Sequence, residues 1–191
     1  IDDKLNDEVN DYLTNWKESI LEESSPKTLY EKIQQGSPWY TIKPIDSKGI
    51  LFSYFVRNDM KFIDNEKGTL VRDNFYVIYP KIDKTLLFGL LNNYYTYFQL
   101  EKSGKKYGAG LLKLQRYDIE DLIFPDISLI SQHDKEEICK LSEKLLFRND
   151  ISYVREITSI ISSYSTMSYE EITDQFTELK KHRLEGYTNG N

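Results

Sequence analysis

Ile50-Leu51-Phe52-Ser53-Tyr54-Phe55-Val56 is a run of aliphatic and aromatic side chains between two polar segments. Asp46-Ser47-Lys48-Gly49 precedes it as a turn signal, and the polar Arg57-Asn58-Asp59 follows it. Aromatic and β-branched residues fit a pleated, half-buried surface, so the run predicts a strand over 50–56. Shorter runs of similar character predict strands at 39–43, 61–64, 69–71 and 74–79. Asn65-Glu66-Lys67-Gly68 supplies a second turn, and Pro80 ends the series.

Outward from this block the pattern becomes helical. Leu5, Val9, Tyr12, Leu13, Trp16, Ile20 and Leu21 recur at spacings of three and four, which predicts a helix over 1–23. A second helix follows Ser24-Ser25-Pro26, with Ser25 as its expected cap, Pro26 in its first turn and Gly36 closing it. Residues 83–101 read as one helix with a stripe of Leu86, Leu87, Leu90, Leu91, Tyr94 and Phe98. Its aromatics are expected in the core rather than as a platform for stacked bases, because they recur at helical spacing. Lys105-Lys106-Tyr107-Gly108-Ala109-Gly110 reads as a basic loop, 111–115 as a strand, and Asp118 to Phe124 as a turn and strand stopped by Pro125. Three amphipathic helices follow: one from Asp134 or His133, one over 151–161 and one over 169–184. The tail from Glu185 is expected to fray. The fold class is α+β.

Composition bounds the chemistry. The chain has 191 residues, 39% hydrophobic and 29% charged, enough for a packed core. One Cys and two His exclude a disulfide framework and a zinc site of Cys and His ligands. No apolar run reaches the roughly 18 residues of a membrane span, and no signal pattern opens the chain, so a cytoplasmic location is expected. Ile1 in the first position reads as the start of a fragment or a trimmed product. His133 and His182 lie in no nucleophile motif, and Cys139 sits inside an amphipathic helix. Glu136-Glu137 and Glu170-Glu171 are solvated helix faces. Gly108-Ala109-Gly110 lacks the Gly-Lys-Ser/Thr ending of a phosphate loop and precedes a strand, so it predicts no nucleotide cofactor.

Charge is unevenly divided. Residues 36–117 carry 13 Lys and Arg against 7 Asp and Glu, whereas the segments before and after are acidic, and the chain as a whole is at −6. A cationic block of this kind is the electrostatic footprint of polyanion binding.

Four segments, taken in order, carry a resemblance. They are Pro38-Trp39-Tyr40 with Lys43-Pro44-Ile45; Tyr54-Phe55-Val56-Arg57 with Phe62 and Asp73-Asn74-Phe75-Tyr76-Val77-Ile78; Leu87-Phe88-Gly89-Leu90-Leu91-Asn92-Asn93; and Gly108-Ala109-Gly110-Leu111-Leu112-Lys113-Leu114 with Asp118-Ile119 and Ile123-Phe124-Pro125. Together, over about 38–125, this succession resembles the C-terminal target-recognition domain of adenine-specific DNA methyltransferases of the TaqI-like and Eco57I-like restriction–modification type. The resemblance implies a curved mixed β-sheet flanked by helices. It also implies a parent enzyme that uses S-adenosylmethionine. The Asn/Asp-Pro-Pro-Tyr/Phe tetrad of such enzymes is absent, since the chain has no Pro-Pro pair. The expectation is a specificity half without its catalytic half, not catalytic alone.

On this reading residues 1–36 form a helical connector to the missing catalytic domain. Residues 37–128 form the recognition core and 129–191 a C-terminal helical segment. Double-stranded DNA is the expected partner. Arg57 and Arg72 are assigned to guanine or phosphate, and Asn74 to adenine, although within Asp73-Asn74-Phe75 it also suits a turn. Lys43, Lys61, Lys105, Lys106 and Lys113 are assigned to phosphates, and Tyr40, Tyr54 and Tyr107 to phosphate or sugar. The competing expectation is a protein-interaction module that docks through the acidic amphipathic helices.

Overall fold

The computed structural model describes residues 6–41 and 46–186. The chain divides into two compact units, Ile1–Ile45 and Asp46–Asn191.

In the first unit, α1 (Asp7–Glu23) is capped by Asn6, whose side chain accepts from the Val9 amide at 2.9 Å. Asp7 and Glu8 in its first turn complement the positive end of the helix. α2 (Lys27–Gln34) packs against it. Pro26, not Ser25, occupies the cap of α2, and its carbonyl accepts from the Leu29 and Tyr30 amides. Gly36 closes the helix as expected. At φ +68 its amide reaches the Ile33 carbonyl while Ser37 reaches Lys32, which satisfies two carbonyls at the helix end. The strand expected at 39–43 does not form over 39–41. Both the amide and the hydroxyl of Thr41 donate to the Pro38 carbonyl, which curls the chain into a turn. Residues 42 and 43 lie outside the described residues.

The second unit holds the strands and the remaining helices. β1 (Ile50–Ser53) lies between β3 (Phe62–Asp64) and β4 (Phe75–Ile78), antiparallel to both. Phe52 sits opposite Phe62 on one side and Tyr76 on the other, with the Phe52 and Phe62 rings stacked at 4.5 Å. The strand expected over 50–56 breaks at Tyr54. Its amide donates to the Asn74 carbonyl (3.2 Å) beside the first sheet, and its carbonyl accepts from Leu114 (2.8 Å) beside the second. After this bend the chain continues as β2 (Phe55–Val56), which pairs antiparallel with β6 (Leu111–Lys113). β6 in turn pairs with β5 (Lys105–Tyr107). Among the described residues the β structure is therefore two three-stranded antiparallel sheets, the chain passing from one to the other at Tyr54, in place of one mixed sheet. The α+β class stands. No strand forms at 69–71, because the Asn65 side chain brackets Thr69, donating to its carbonyl and accepting from its amide.

The helix expected over 83–101 is two helices, α3 (Lys84–Leu91) and α4 (Tyr94–Ser103). Asn93 caps α4, accepting from the Thr96 amide while donating to the Leu90 carbonyl. Asn92 turns inward: its oxygen accepts from the Phe62 amide (3.0 Å) and the Tyr97 hydroxyl (2.8 Å), joining helix end to strand. Residues 116–120 form α5 (Arg116–Glu120) in place of the expected turn and strand, because Gln115 and Asp118 make a reciprocal capping box. Then come α6 (Gln132–Arg148), capped by Ser131 rather than His133 or Asp134, α7 (Ile151–Ser162) and α8 (Tyr169–Glu185); the tail expected to fray lies outside the described residues from 187 on.

One core cluster joins Phe52, Phe62 and Leu112 of the sheets to Tyr97 and Leu100 of α4 and Ile172 of α8. A second joins Leu90, Ile138, Leu141 and Ile157. Tyr94 and Tyr97 are buried, with ring centroids 5.4 and 5.9 Å from Phe176. The aromatics of α4 are core, as their spacing predicts.

Candidate functional site

The second sheet has one face in the core and one in solvent. Leu112 and Val56, opposite one another on β6 and β2, are buried. Alternation then turns Lys113 and Phe55 outward, and with them Lys105 and Tyr107 of β5. The register sets Lys105 directly opposite Lys113, and Lys113 directly opposite Phe55, so the three form one row across the sheet. The Lys113 ammonium lies 5.7 Å from the Phe55 ring centre, and the Lys105 ammonium 5.5 Å from that of Tyr107. Both rings are open to solvent, 42% for Phe55 and 38% for Tyr107.

The electrostatics of this row are unfavourable in isolation. Like charges directly opposite across an antiparallel pair destabilise it. Among the described residues no carboxylate forms an ion pair with Lys105 or Lys113, nor with Arg57, Lys106, Lys61 or Arg72. The rings beneath the ammonium groups supply partial compensation through their negative faces.

Arg57 is the next residue after β2 and is exposed. Its carbonyl and that of Gly110 accept from the same nitrogen, Nη1 of Arg183, so its backbone lies beside the turn Gly108–Gly110 that links β5 to β6. Asn74 is exposed at the entry to β4, its carbonyl bonded to Tyr54 where the two sheets meet. Arg72 is exposed two residues earlier, in the turn where its own carbonyl accepts from Phe75. Lys105, Tyr107 and Lys113 thus share a face, with Arg57 at its rim. Arg72 and Asn74 stand at the junction between the sheets.

Lys106 and Lys61 lie off this face. Lys106 alternates onto the Leu112 side of the edge strand β5 and stays exposed. Lys61 lines a cavity of about 910 Å³ that is floored by Phe62, Tyr94, Tyr97 and Phe176. Tyr40 belongs to the N-terminal unit, half-buried and edge-on to Trp39. Lys43 falls outside the described residues.

Among the described residues, the titratable groups whose ionisation is shifted serve packing and capping. Burial and the nearby Asp83 carboxylate push the Cys139 thiol up, away from the thiolate that a nucleophile needs. Burial pushes the Tyr97 hydroxyl up as well. Asp134 is held below the ordinary carboxylate range by hydrogen bonds from the Tyr164 and Ser131 hydroxyls, which is a helix-capping role.

Sequence reasoning missed the pair beneath the face. Glu101 and Arg183 are 0% and 2% exposed and form a buried ion pair. The signal was present: Glu101 lies seven residues after Tyr94 and four after Tyr97, on the buried face of α4. Arg183 lies seven residues after Phe176. A lone charge at a core position of an amphipathic helix is a request for a buried partner.

The model of the family described as Type II methyltransferase M.Eco57I, C-terminal domain, matches residues 1–162. The Type II methyltransferase M.AccI of Acinetobacter calcoaceticus is 25% identical over 157 residues, which covers 76% of this chain and 27% of that protein. The chain therefore spans about a quarter of the length of this relative. No solved structure matches the chain.

Proposed function

The chain belongs to the family of the C-terminal domain of Type II methyltransferase M.Eco57I, and from that premise we propose that it reads double-stranded DNA for an adenine-specific methyltransferase of a restriction–modification system. The observation that carries the reading is the row Lys105–Lys113–Phe55: two cations set opposite one another on an exposed sheet face, without acidic partners among the described residues. A phosphate backbone relieves the repulsion that the fold leaves in place. Phe55 and Tyr107 offer flat surfaces to sugars, and the Tyr107 hydroxyl a donor to phosphate. Arg57 at the rim, and Arg72 and Asn74 at the junction, are the groups assigned to base edges, where Arg suits guanine and Asn suits adenine. Lys61 and Lys106 would contribute peripheral phosphate contacts, and Lys43 and Tyr40 stay assigned to phosphate or sugar.

Chemistry on a base requires the base to leave the stack, and this is assigned to the catalytic part of the parent. The methyl donor, S-adenosylmethionine, is assigned there too. Gly108–Gly110 does not fit it, because the turn is backed by α8: a Cβ on Gly110 would stand 3.1 Å from Leu184 Cδ2. Residues 1–36 serve as the connector to that catalytic part, 37–128 as the recognition core and 129–191 as its helical support. The exposed Val9, Tyr12 and Trp16 of α1 support the connector role as a docking face for the rest of the enzyme. No helix among the described residues is long and apolar enough to cross a membrane.

Fluorescence anisotropy with a labelled mixed-sequence duplex tests the reading. Binding that weakens progressively with added salt is expected. Absence of binding at low salt would overturn it.

A further inference from the structure

Arg183 stands on α8, beyond the residues 1–162 matched by the family model. Its Nε donates to one Glu101 oxygen at 2.5 Å and its Nη2 to the other at 3.1 Å, fork against fork. Nη1 is left over, and it donates to two main-chain carbonyls, that of Arg57 at 2.9 Å and that of Gly110. These carbonyls belong to the last residue before the polar turn after β2 and to the last residue of the turn between β5 and β6. One buried guanidinium therefore fastens the end of the outer strand β2 to the turn that enters the central strand β6.

The turn it fastens is not a relaxed one. Ala109 and Gly110 lie successively in the left-handed region, at φ 58 and φ +70. For alanine that conformation costs on the order of 1 kcal/mol and persists where surrounding structure imposes it. Here α8 imposes it, with Leu184 against Gly110 and Arg183 on its carbonyl. Stability alone is a poor reason for such a pair, because well-packed apolar residues of similar volume do as well or better. What apolar residues cannot do is hold two carbonyls at one fixed point.

We propose that Arg183 is a positioning residue for DNA reading: through the carbonyls of Arg57 and Gly110 it sets the Arg57 side chain and the Lys105–Lys113 row in one rigid arrangement against the duplex. The proposal rests on the DNA-reading assignment above. It makes α8, far from the strands in sequence, a determinant of how they meet their ligand.

A double-mutant cycle on the full chain tests this, with binding to the labelled mixed-sequence duplex as readout. Arg183→Lys keeps the charge beside Glu101 but loses the fork and the reach to the carbonyls. Arg57→Ala and Arg183→Lys are each expected to weaken binding about tenfold, the scale of one charge-assisted hydrogen bond. The double variant is expected to stay well short of the hundredfold or so that independent effects would give. Additive effects would overturn the proposal. Amide hydrogen exchange without DNA separates it from the underlying reading. Faster exchange over 108–111 in Arg183→Lys, with the core helices unchanged, supports the anchor even if the wild type ignores DNA; unchanged exchange overturns it. Should Arg183→Lys not fold, Gly110→Ala takes its place in both measurements, since it displaces the same turn from Leu184 and leaves the ion pair intact.

Discussion

The outer face of the second sheet and the buried pair beneath it use the same residue types to opposite ends. Lys105 is exposed and Lys113 half-buried; they stand opposed, and no carboxylate among the described residues is paired with either. Glu101 and Arg183 are enclosed, and each nitrogen of the guanidinium donates to an acceptor. Charge left unsatisfied at the surface is available to a ligand, while charge satisfied inside fixes where the surface stands. The difference predicts that substitutions at the two places separate folding from binding.

The largest expected effect lies below the face. Glu101→Gln leaves Arg183 buried with its charge uncompensated and should cost about 3–5 kcal/mol of folding stability. Denaturant unfolding measures it; a loss under about 1 kcal/mol would place the pair among surface-like bridges.

Next come the helix contacts that carry the sheet. A Cβ at Gly89 would stand 2.5 Å from Ser142 Oγ and 2.6 Å from Ile138 Cγ2, so Gly89→Ala must separate α3 from α6. A cost of about 1–3 kcal/mol is expected, read from the thermal midpoint. Asn92→Ala strands the Phe62 amide and the Tyr97 hydroxyl, with a cost of a similar 1–3 kcal/mol or so.

On the face itself the sign reverses. Lys105→Ala combined with Lys113→Ala removes a like-charge pair, so stability should hold or rise by a few tenths of a kcal/mol, while DNA affinity falls. Loss of stability above about 1 kcal/mol would mean that these side chains serve the fold.

The smallest effect is electrostatic and far from both. The Tyr164 bond lowers the Asp134 carboxyl, so it stabilises the fold above the ordinary carboxylate range. That contribution disappears as pH falls through the depressed native value. Tyr164→Phe should therefore be less stable than wild type near neutrality, with the gap closing in acid. A gap that widens in acid would contradict the assignment.

The two regions also differ in how far the sequence disclosed them. The aromatic and β-branched run over 50–56 and the strand at 111–115 are local patterns and were legible, whereas Lys105–Tyr107, read as a basic loop, is the edge strand β5, because its pairing with Leu111–Lys113 is not a local pattern. The bend at Tyr54 was not legible, because it depends on partners at Asn74 and Leu114 that periodicity does not see. Asn92-Asn93 is a pair of cap-forming amides inside an apolar stripe, and it should have divided the helix at 83–101. Likewise Gln115 with Asp118 spells a capping box that outweighed the apolar run 119–124. The Glu101–Arg183 pair joins residues 82 apart. Each charge announces itself at a core position, but only the packed fold identifies its partner.

On this account the Lys105–Lys113 row of the second sheet meets DNA phosphates. The direct measurement is the salt dependence of duplex affinity for wild type and for the Lys105→Ala, Lys113→Ala double variant. Losing two phosphate contacts should flatten the slope of log affinity against log salt by about 1.8, with folding intact. An unchanged slope in a folded variant would mean that this face does not touch the backbone.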